Sequence, residues 1–301
     1  MRIAVLSDIH ANRLALEAVL EDCESQDIER YWFLGDAIGY GPEPVAPVLW
    51  VKYYVKPGDW VLGNHDLMAR DLKSTSTDTA PEAIMTAKRH LVELQKNEEA
   101  YSFWLDGFGH DAGNPAEHTI DGVDYVLVHG DQFAMRYVYA WSDLFLQRIF
   151  ERLYVQSSKQ KRPRIQLFGH THIPTLIKSH SIKGHPLAEE PIDTLAFQYE
   201  VVKILPGETY DLDGGISLLN PGSVGQPRDL DHRAAYAIVN TEEHTVTFRR
   251  VEYAWQAVCD ALRDASYPDS LRIRLIRAAP PKETPNEWLT HYERSSEEIR
   301  S

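Results

Sequence analysis

Cysteine is scarce: the 301-residue chain has two, Cys23 and Cys259, far apart and in no metal-binding spacing. That excludes a disulfide scaffold and makes a reducing compartment the simplest setting. Basic residues are outnumbered, 31 Lys and Arg against 45 Asp and Glu, for a formal net charge of −14. A chain this acidic lacks the global positive field that non-specific binding to long duplex nucleic acid relies on. Small or locally steered substrates fit it better, and a metal cluster would reverse the sign locally. No apolar stretch approaches the ~20 residues that cross a bilayer, and the opening MRIAVLSDIH does not read as a signal peptide. The expected location is therefore cytoplasmic. Internal repeats and low-complexity tracts are also missing. The bulk composition, 43% hydrophobic and 25% charged, is that of a folded domain and not of a disordered chain or a coiled coil.

Apolar runs of strand length alternate with helical patterns. Ile3–Leu6, Tyr31–Leu34 and Trp60–Leu62 read as buried strands, halted by Ser7-Asp8-Ile9-His10, Gly35-Asp36 and Gly63-Asn64-His65-Asp66. Asn12 can cap a helix that places Leu14, Ala15, Ala18 and Val19 on one face. Pro81–Leu105 has helical spacing, and Val123–Val128 is a strand ending at His129-Gly130. Trp141, Leu144, Phe145, Ile149 and Leu153 mark another helix, either as its buried face or as a cap over a pocket. The basic run Lys159–Arg164 reads as a solvated loop or as a contact for a polyanion. Ile165–Phe168 then ends at Gly169-His170-Thr171-His172, and Ile216–Leu219, Ala235–Val239 and Thr245–Val251 read as late strands. Residues 131–164 and 178–215 are read as insertions in a domain over 1–251. Residues 252–301 are read as a helical extension packed on that domain, helical near Trp255–Leu262 and frayed over Arg294–Ser301. This rhythm predicts an α/β core with polar residues at the C-terminal ends of its strands, where open α/β sheets build their sites.

Those ends hold the chemistry. Asp8 and His10, Asp36, Asn64, His129, and His170 with His172 are seven candidate metal ligands delivered from five places. Carboxylate, imidazole and amide oxygen without thiolate suit first-row divalent ions such as Mn, Fe, Zn or Ni. In Asp8-Ile9-His10 and His170-Thr171-His172 the alternation puts both polar side chains on one side of an extended segment. Seven ligands with so few carboxylates suit two cations better than one, and Asp36 is the carboxylate expected to bridge them. Paired ions roughly 3.5–4 Å apart clamp a phosphoryl group and activate water near neutral pH. The chemistry expected is hydrolysis of a small phosphoester.

The blocks Asp8-x-His10, Gly35-Asp36, Gly63-Asn64-His65, His129 and Gly169-His170-x-His172 occur in the order of the calcineurin-like metallophosphoesterases, which the chain resembles. Asn220-Pro221-Gly222-Ser223-Val224-Gly225 and Arg228 extend the likeness toward the small bacterial phosphodiesterase branch, to about residue 251. The resemblance implies a four-layer α/β/β/α sandwich with a dinuclear site at the sheet edge. It implies one ion on Asp8, His10, Asp36 and His172, and another on Asp36, Asn64, His129 and His170. His65 is then the general acid or a hydrogen-bond donor to the phosphoryl oxygens, and a metal-bridging hydroxide attacks in line without a phosphoenzyme. One block departs: the family often reads G-D-x-x-D-R-G, whereas here Gly39 and Tyr40 replace the second aspartate and the arginine. That weighs against a protein phosphatase and removes the usual carboxylate partner of His65. Arg228 is a candidate for the lost phosphate contact, and Asn12 is a helix cap or a substrate contact. Asp66 is expected to support or cap without ligating, and Tyr40 to shield the pocket. Phosphomonoesterase, dinucleoside-polyphosphate hydrolase and nuclease activities are alternatives on the same site, and a non-catalytic metal-binding scaffold is the alternative of another class.

Overall fold

Alternation along the strands dictates the layering. In β1 (Arg2–Leu6), Ile3 and Val5 face one way while Ala4 and Leu6 face the other, and all four are fully buried. A strand with two apolar faces must be covered on both sides. The computed structural model describes residues 1–72, 79–107, 115–130, 143–160, 162–179, 198–212 and 215–280. Within them β1 joins β2 (Arg30–Phe33), β8 (Thr209–Asp211), β10 (Ala234–Asn240) and β11 (Thr245–Val251) in a sheet ordered β2-β1-β10-β11-β8. A second sheet is ordered β3-β4-β5-β9-β6-β7, from β3 (Ala116–Ile120), β4 (Val123–Leu127), β5 (Arg164–Leu167), β6 (Thr175–Ser179), β7 (Tyr199–Val201) and β9 (Ile216–Asn220).

Ile3, Val5, Trp32 and Val239 of the first sheet meet Tyr125, Leu127, Ile165 and Leu219 of the second in the inner core. The first sheet's other face, with Ala4, Leu6, Phe33 and Ile238, is covered by helices. These are α1 (Arg13–Glu24), α2 (Val45–Tyr54), α3 (Asn64–Arg70), α4 (Pro81–Gln95), α5 (Glu98–Ser102), α7 (Trp255–Asp264) and α8 (Asp269–Arg277). The second sheet's outer face, with Val126, Ile177 and Leu218, is covered by Leu146, Ile149, Phe150 and Leu153 of α6 (Asp143–Gln160). The expected α/β/β/α sandwich is therefore the observed one. Each fully buried aliphatic side chain contributes about 1.5–3 kcal/mol, so three such interfaces hold the layers firmly. None of the helices among the described residues is long and apolar enough to cross a membrane.

Several elements differ from the sequence reading. Trp60–Leu62 forms only a single bridge, Phe33 to Trp60, because Gly63 and α3 follow at once. The basic run Lys159–Arg164, read as a solvated loop or a polyanion contact, begins in the last turn of α6 and ends at the first residue of β5. Arg164 is 1% exposed and lies 2.8 Å from Glu117, while Arg162 lies 3.1 Å from Asp124. These two arginines are thus held by carboxylates within the protein. The stretch 178–215, read as an insertion, holds the three-residue edge strands β7 and β8. The strand β6 carries no counterpart in the sequence reading, and α8 falls within the stretch read as a helical extension but beyond the segment placed at Trp255–Leu262. Leu153 and Ile149 are buried on α6 as expected. Trp141, the side chains of Leu144 and Phe145, and the tail Arg294–Ser301 lie outside the described residues.

Candidate metal centre

Five chain segments end at one place. Asp8 and His10 follow β1, Asp36 follows β2, Asn64 opens α3, His129 follows β4, and His170 and His172 follow β5. Strands β1 and β2 are parallel, as are β4, β5 and β9, so their C-terminal ends gather at one edge of the sandwich. The backbone leaves the strands sharply: φ is positive at Asp8 (52°), His10 (48°), Asp36 (58°), His170 (66°) and His172 (61°). Each such non-glycine residue costs on the order of 1–2 kcal/mol, and strain of this kind persists where surroundings over-determine it. Here hydrogen bonds do so, from Asp8 N to the Gly35 carbonyl (3.0 Å), His10 N to the Asp36 carbonyl (3.0 Å) and Gly169 N to the His129 carbonyl (2.9 Å). Gly63 lies so close to Asp36 that a β-carbon there would overlap its carboxylate.

The histidine hydrogen bonds decide what the centre can hold. Nδ1 of His10 meets the Ile38 carbonyl at 3.0 Å, Nδ1 of His129 the Leu34 carbonyl at 2.7 Å, and Nδ1 of His172 the Gln226 carbonyl at 2.6 Å. A carbonyl only accepts, so each ring carries its proton on Nδ1 and, when neutral, turns the Nε2 lone pair inward. The inward lone pairs then meet other acceptors. His10 Nε2 faces His172 Nε2 at 3.0 Å, and His172 Nε2 is 3.3 Å from Asp8 Oδ1. His129 Nε2 is 3.2 Å from both Asp36 Oδ2 and Asn64 Oδ1, and Asn64 Oδ1 is 2.8 Å from His170 Nδ1. Acceptors converging in this way repel unless a cation sits among them: at His129 a proton on Nε2 can fill that place beside Asp36, whereas His10 and His172 turn two Nε2 lone pairs on each other. These residues therefore fit divalent ions.

Two clusters lie side by side, linked by a third group of His10, Asp36 and His65 that shares one residue with each. Ligand atoms of Asp8, His10 and His172 lie within 4.8 Å of one another, and so do those of Asp36, His129 and His170. Asp36 Oδ2 is also 3.7 Å from His10 Nε2, which places that carboxylate between them. Electrostatics agree with a centre built for positive charge. Burial alone would raise Asp8 and Asp36, yet the surrounding histidines hold both well below the usual carboxylate range. Burial would lower His129, but Asp36 and Asp8 push it up to about 10. Burial lowers His170 to about 3, with His129 adding to the effect, and holds His10 and His172 below the ordinary histidine value.

The other residues singled out in the sequence lie around this cluster. Asp66 accepts from Asp36 N (2.8 Å), Gly63 N (3.0 Å) and Ile38 N (3.2 Å), and burial followed by the charge of Asp36 pushes it up to about 7. His65 is 5% exposed, and its ring stands 4.9 Å from that of His10 and 4.5 Å from that of Tyr40. Among the described residues its Nδ1 has no hydrogen-bond partner, as the glycine at position 39 leads one to expect. Burial lowers His65 to about 4, against the pull of Asp36. Asn12 is the N-cap of α1: Oδ1 accepts from Ala15 N at 3.1 Å and Nδ2 donates to the Gly225 carbonyl at 2.9 Å. Both ends of its amide thus serve the scaffold. Arg228 is 9% exposed, with its guanidinium carbon 5.8 Å from the Tyr40 ring, and its charge helps to lower His10, His65 and His172.

One buried residue of the site carries no motif. His90, on α4, is fully buried; its Nδ1 accepts from Gly39 N (3.0 Å) and its Nε2 donates to the Gly41 carbonyl (2.8 Å). It holds the loop that presents Tyr40, with Tyr40 itself at φ 54°. Nothing in its spacing separates it from an ordinary core histidine.

A sequence profile described as the calcineurin-like phosphoesterase superfamily domain matches residues 1–244. The chain belongs to that superfamily. Within it, an uncharacterised protein of Methanocaldococcus jannaschii is 29% identical over 278 residues, covering 91% of this chain and 97% of its own. A metallophosphoesterase from Sphaerobacter thermophilus is 30% identical, with a TM-score of 0.68 over 93% of this chain and 99% of its own. A hypothetical protein from Pyrococcus horikoshii shares the fold at 18% identity, TM-score 0.65, over 93% and 99% of the two chains. In this calcineurin-like phosphoesterase, His90 holds the loop at Gly39 through both ring nitrogens.

Proposed function

We propose that this phosphoesterase is a dinuclear enzyme that hydrolyses a small phosphodiester or nucleotide. One ion is assigned to Asp8, His10, Asp36 and His172, the other to Asp36, Asn64, His129 and His170. The observation that carries the reading is the inward convergence of Nε2 lone pairs and carboxylate oxygens, fixed by Nδ1 bonds to backbone carbonyls. When bound, the ions supply Lewis acidity that activates water and neutralises phosphoryl charge. The backbone carbonyls of Leu34, Ile38 and Gln226 keep the rings in the tautomer that ligation requires. His65, neutral near pH 7 with a value of about 4, acts as a hydrogen-bond donor to a phosphoryl oxygen and not as the proton source. Arg228 supplies the fixed positive charge that orients the phosphoryl group. A scaffold without chemistry would have little reason to keep all seven candidate ligands converging.

Purified protein with Mn²⁺ is expected to hydrolyse bis(p-nitrophenyl) phosphate, and elemental analysis to find two ions per chain. Asp36→Asn weakens both clusters at once, so turnover should fall roughly a hundredfold or more, beyond the loss typical of outer-shell changes. No hydrolysis with any of Mn²⁺, Fe²⁺, Zn²⁺, Ni²⁺ or Mg²⁺, or full activity in Asp36→Asn, would overturn the proposal. Diester and monoester rates measured side by side test the phosphodiesterase assignment.

A further inference from the structure

Helix α8 lies beyond the stretch matched by the family profile, yet it reaches the centre. Its sequence DSLRIRLIR holds three arginines and one acid, an unusual balance in a chain of net charge −14. Leu271 and Leu275 of α8 and Leu262 of α7 line a small cleft with His10, Tyr40 and Gln226, so the helix packs directly behind a candidate ligand. On the neighbouring turn, the guanidinium carbon of Arg274 stands 5.6 Å from the Tyr40 ring, and that of Arg228 stands 5.8 Å from the same ring. Tyr40 in turn is 4.8 Å from the His10 ring. The two cations differ in setting: Arg228 is nine-tenths buried beside the histidines, whereas Arg274 is exposed to solvent. Among the described residues Arg274 forms no ion pair; its charge is felt at partly buried Glu82, whose value it helps to lower.

The geometry points to Arg274 as the binding residue for a second anionic group of the substrate, outside the phosphoryl group that is hydrolysed. Resting on the proposed phosphoesterase reading, this assigns the substrate class: a nucleotide or related phosphoester bearing at least one further phosphate. The buried Arg228 faces the reacting phosphoryl group, and the exposed Arg274, one tyrosine ring away, meets the next phosphate at the mouth. A planar, forked guanidinium suits that contact better than an ammonium, because it can bind two phosphate oxygens together. Solvent exposure keeps the contact modest, so it selects among substrates more than it accelerates the chemistry.

The test uses two chromogenic substrates that differ by one phosphate: the p-nitrophenyl ester of thymidine 5′-phosphate and its 3′-phosphorylated counterpart. Wild type is expected to favour the 3′-phosphorylated compound in kcat/KM. Arg274→Gln should reduce that preference about tenfold, chiefly through KM, Arg274→Lys should keep part of it, and Arg263→Gln on α7 serves as a charge control that keeps all of it. Calorimetric binding of methylenediphosphonate to the metal-loaded protein, which involves no turnover, should weaken by a similar factor in Arg274→Gln. An unchanged preference in Arg274→Gln, or an equal loss for both substrates, overturns the inference while leaving the phosphoesterase reading intact. Failure of wild type to hydrolyse either compound with any divalent ion would instead overturn the phosphoesterase reading.

Discussion

Restoring the family's aspartate at position 39 should damage this protein. A reading of motifs alone expects Gly39→Asp to give His65 back its carboxylate partner and to raise activity. The structure leaves no room for it: a β-carbon on Gly39 would stand 2.6 Å from His65 Nδ1, 2.8 Å from His65 Cγ and 2.9 Å from His10 Nδ1. The backbone is also at φ +105°, which L residues rarely adopt. Forced backbone strain costs about 1–3 kcal/mol, and overpacking a dense site another ~1–3 kcal/mol, for a combined loss of roughly 2–6 kcal/mol. At ~2 °C per kcal/mol for a domain of this size, the melting temperature should fall by roughly 4–12 °C. The rings displaced are those of a proposed ligand and a proposed substrate contact, so hydrolysis of the diester should fall with it. Gly39→Ala should do nearly the same harm, since the first added atom already collides. Scanning calorimetry of the metal-loaded variants, paired with the p-nitrophenyl assay, checks both readouts. A Gly39→Asp variant that melts with wild type and turns over faster would refute the reasoning.

Two further outcomes test residues around the centre. Burial holds His90 down to about 4, against an ordinary value of 6.5. Its neutral form is therefore favoured by folding, and its contribution is whole above pH 6.5 and lost as pH falls toward 4. Between pH 7 and pH 5 that amounts to roughly 2 kcal/mol. His90→Gln, which retains a donor and an acceptor, should flatten the pH dependence of urea unfolding by about that amount, and identical slopes in the two proteins would count against the clamp described for His90. Asn12→Ala loses a helix cap worth ~1 kcal/mol and the hydrogen bond to the Gly225 carbonyl, worth ~1 kcal/mol more. Its unfolding midpoint should drop while KM stays near wild type; a raised KM without loss of stability would make Asn12 a substrate contact after all.

Local order in the chain was enough to single out the candidate ligands. Asp8, His10, Asp36, His129, His170 and His172 each follow a short apolar run, and a strand ended by a polar loop is a pattern written within a few residues. The layered α/β architecture was legible for the same reason: buried strands and amphipathic helices announce themselves through periodicity. Elements held mainly by their neighbours were not. The edge strands β7 and β8, three residues each, take their form from pairing with β6 and β11, and α8 is a short basic segment that becomes a helix against a core it shares with α1, α2 and α4. The same holds at the site. That Nδ1 of three histidines is tied to distant carbonyls, that His90 grips the loop at Gly39, and that Arg274 arrives beside Tyr40 from more than two hundred residues away are facts of proximity, not of spacing. Residue types and their order determined which chemistry this protein can carry. Only the folded chain decided which proton sits on which nitrogen and which charges meet, because those depend on distances that a linear pattern does not contain.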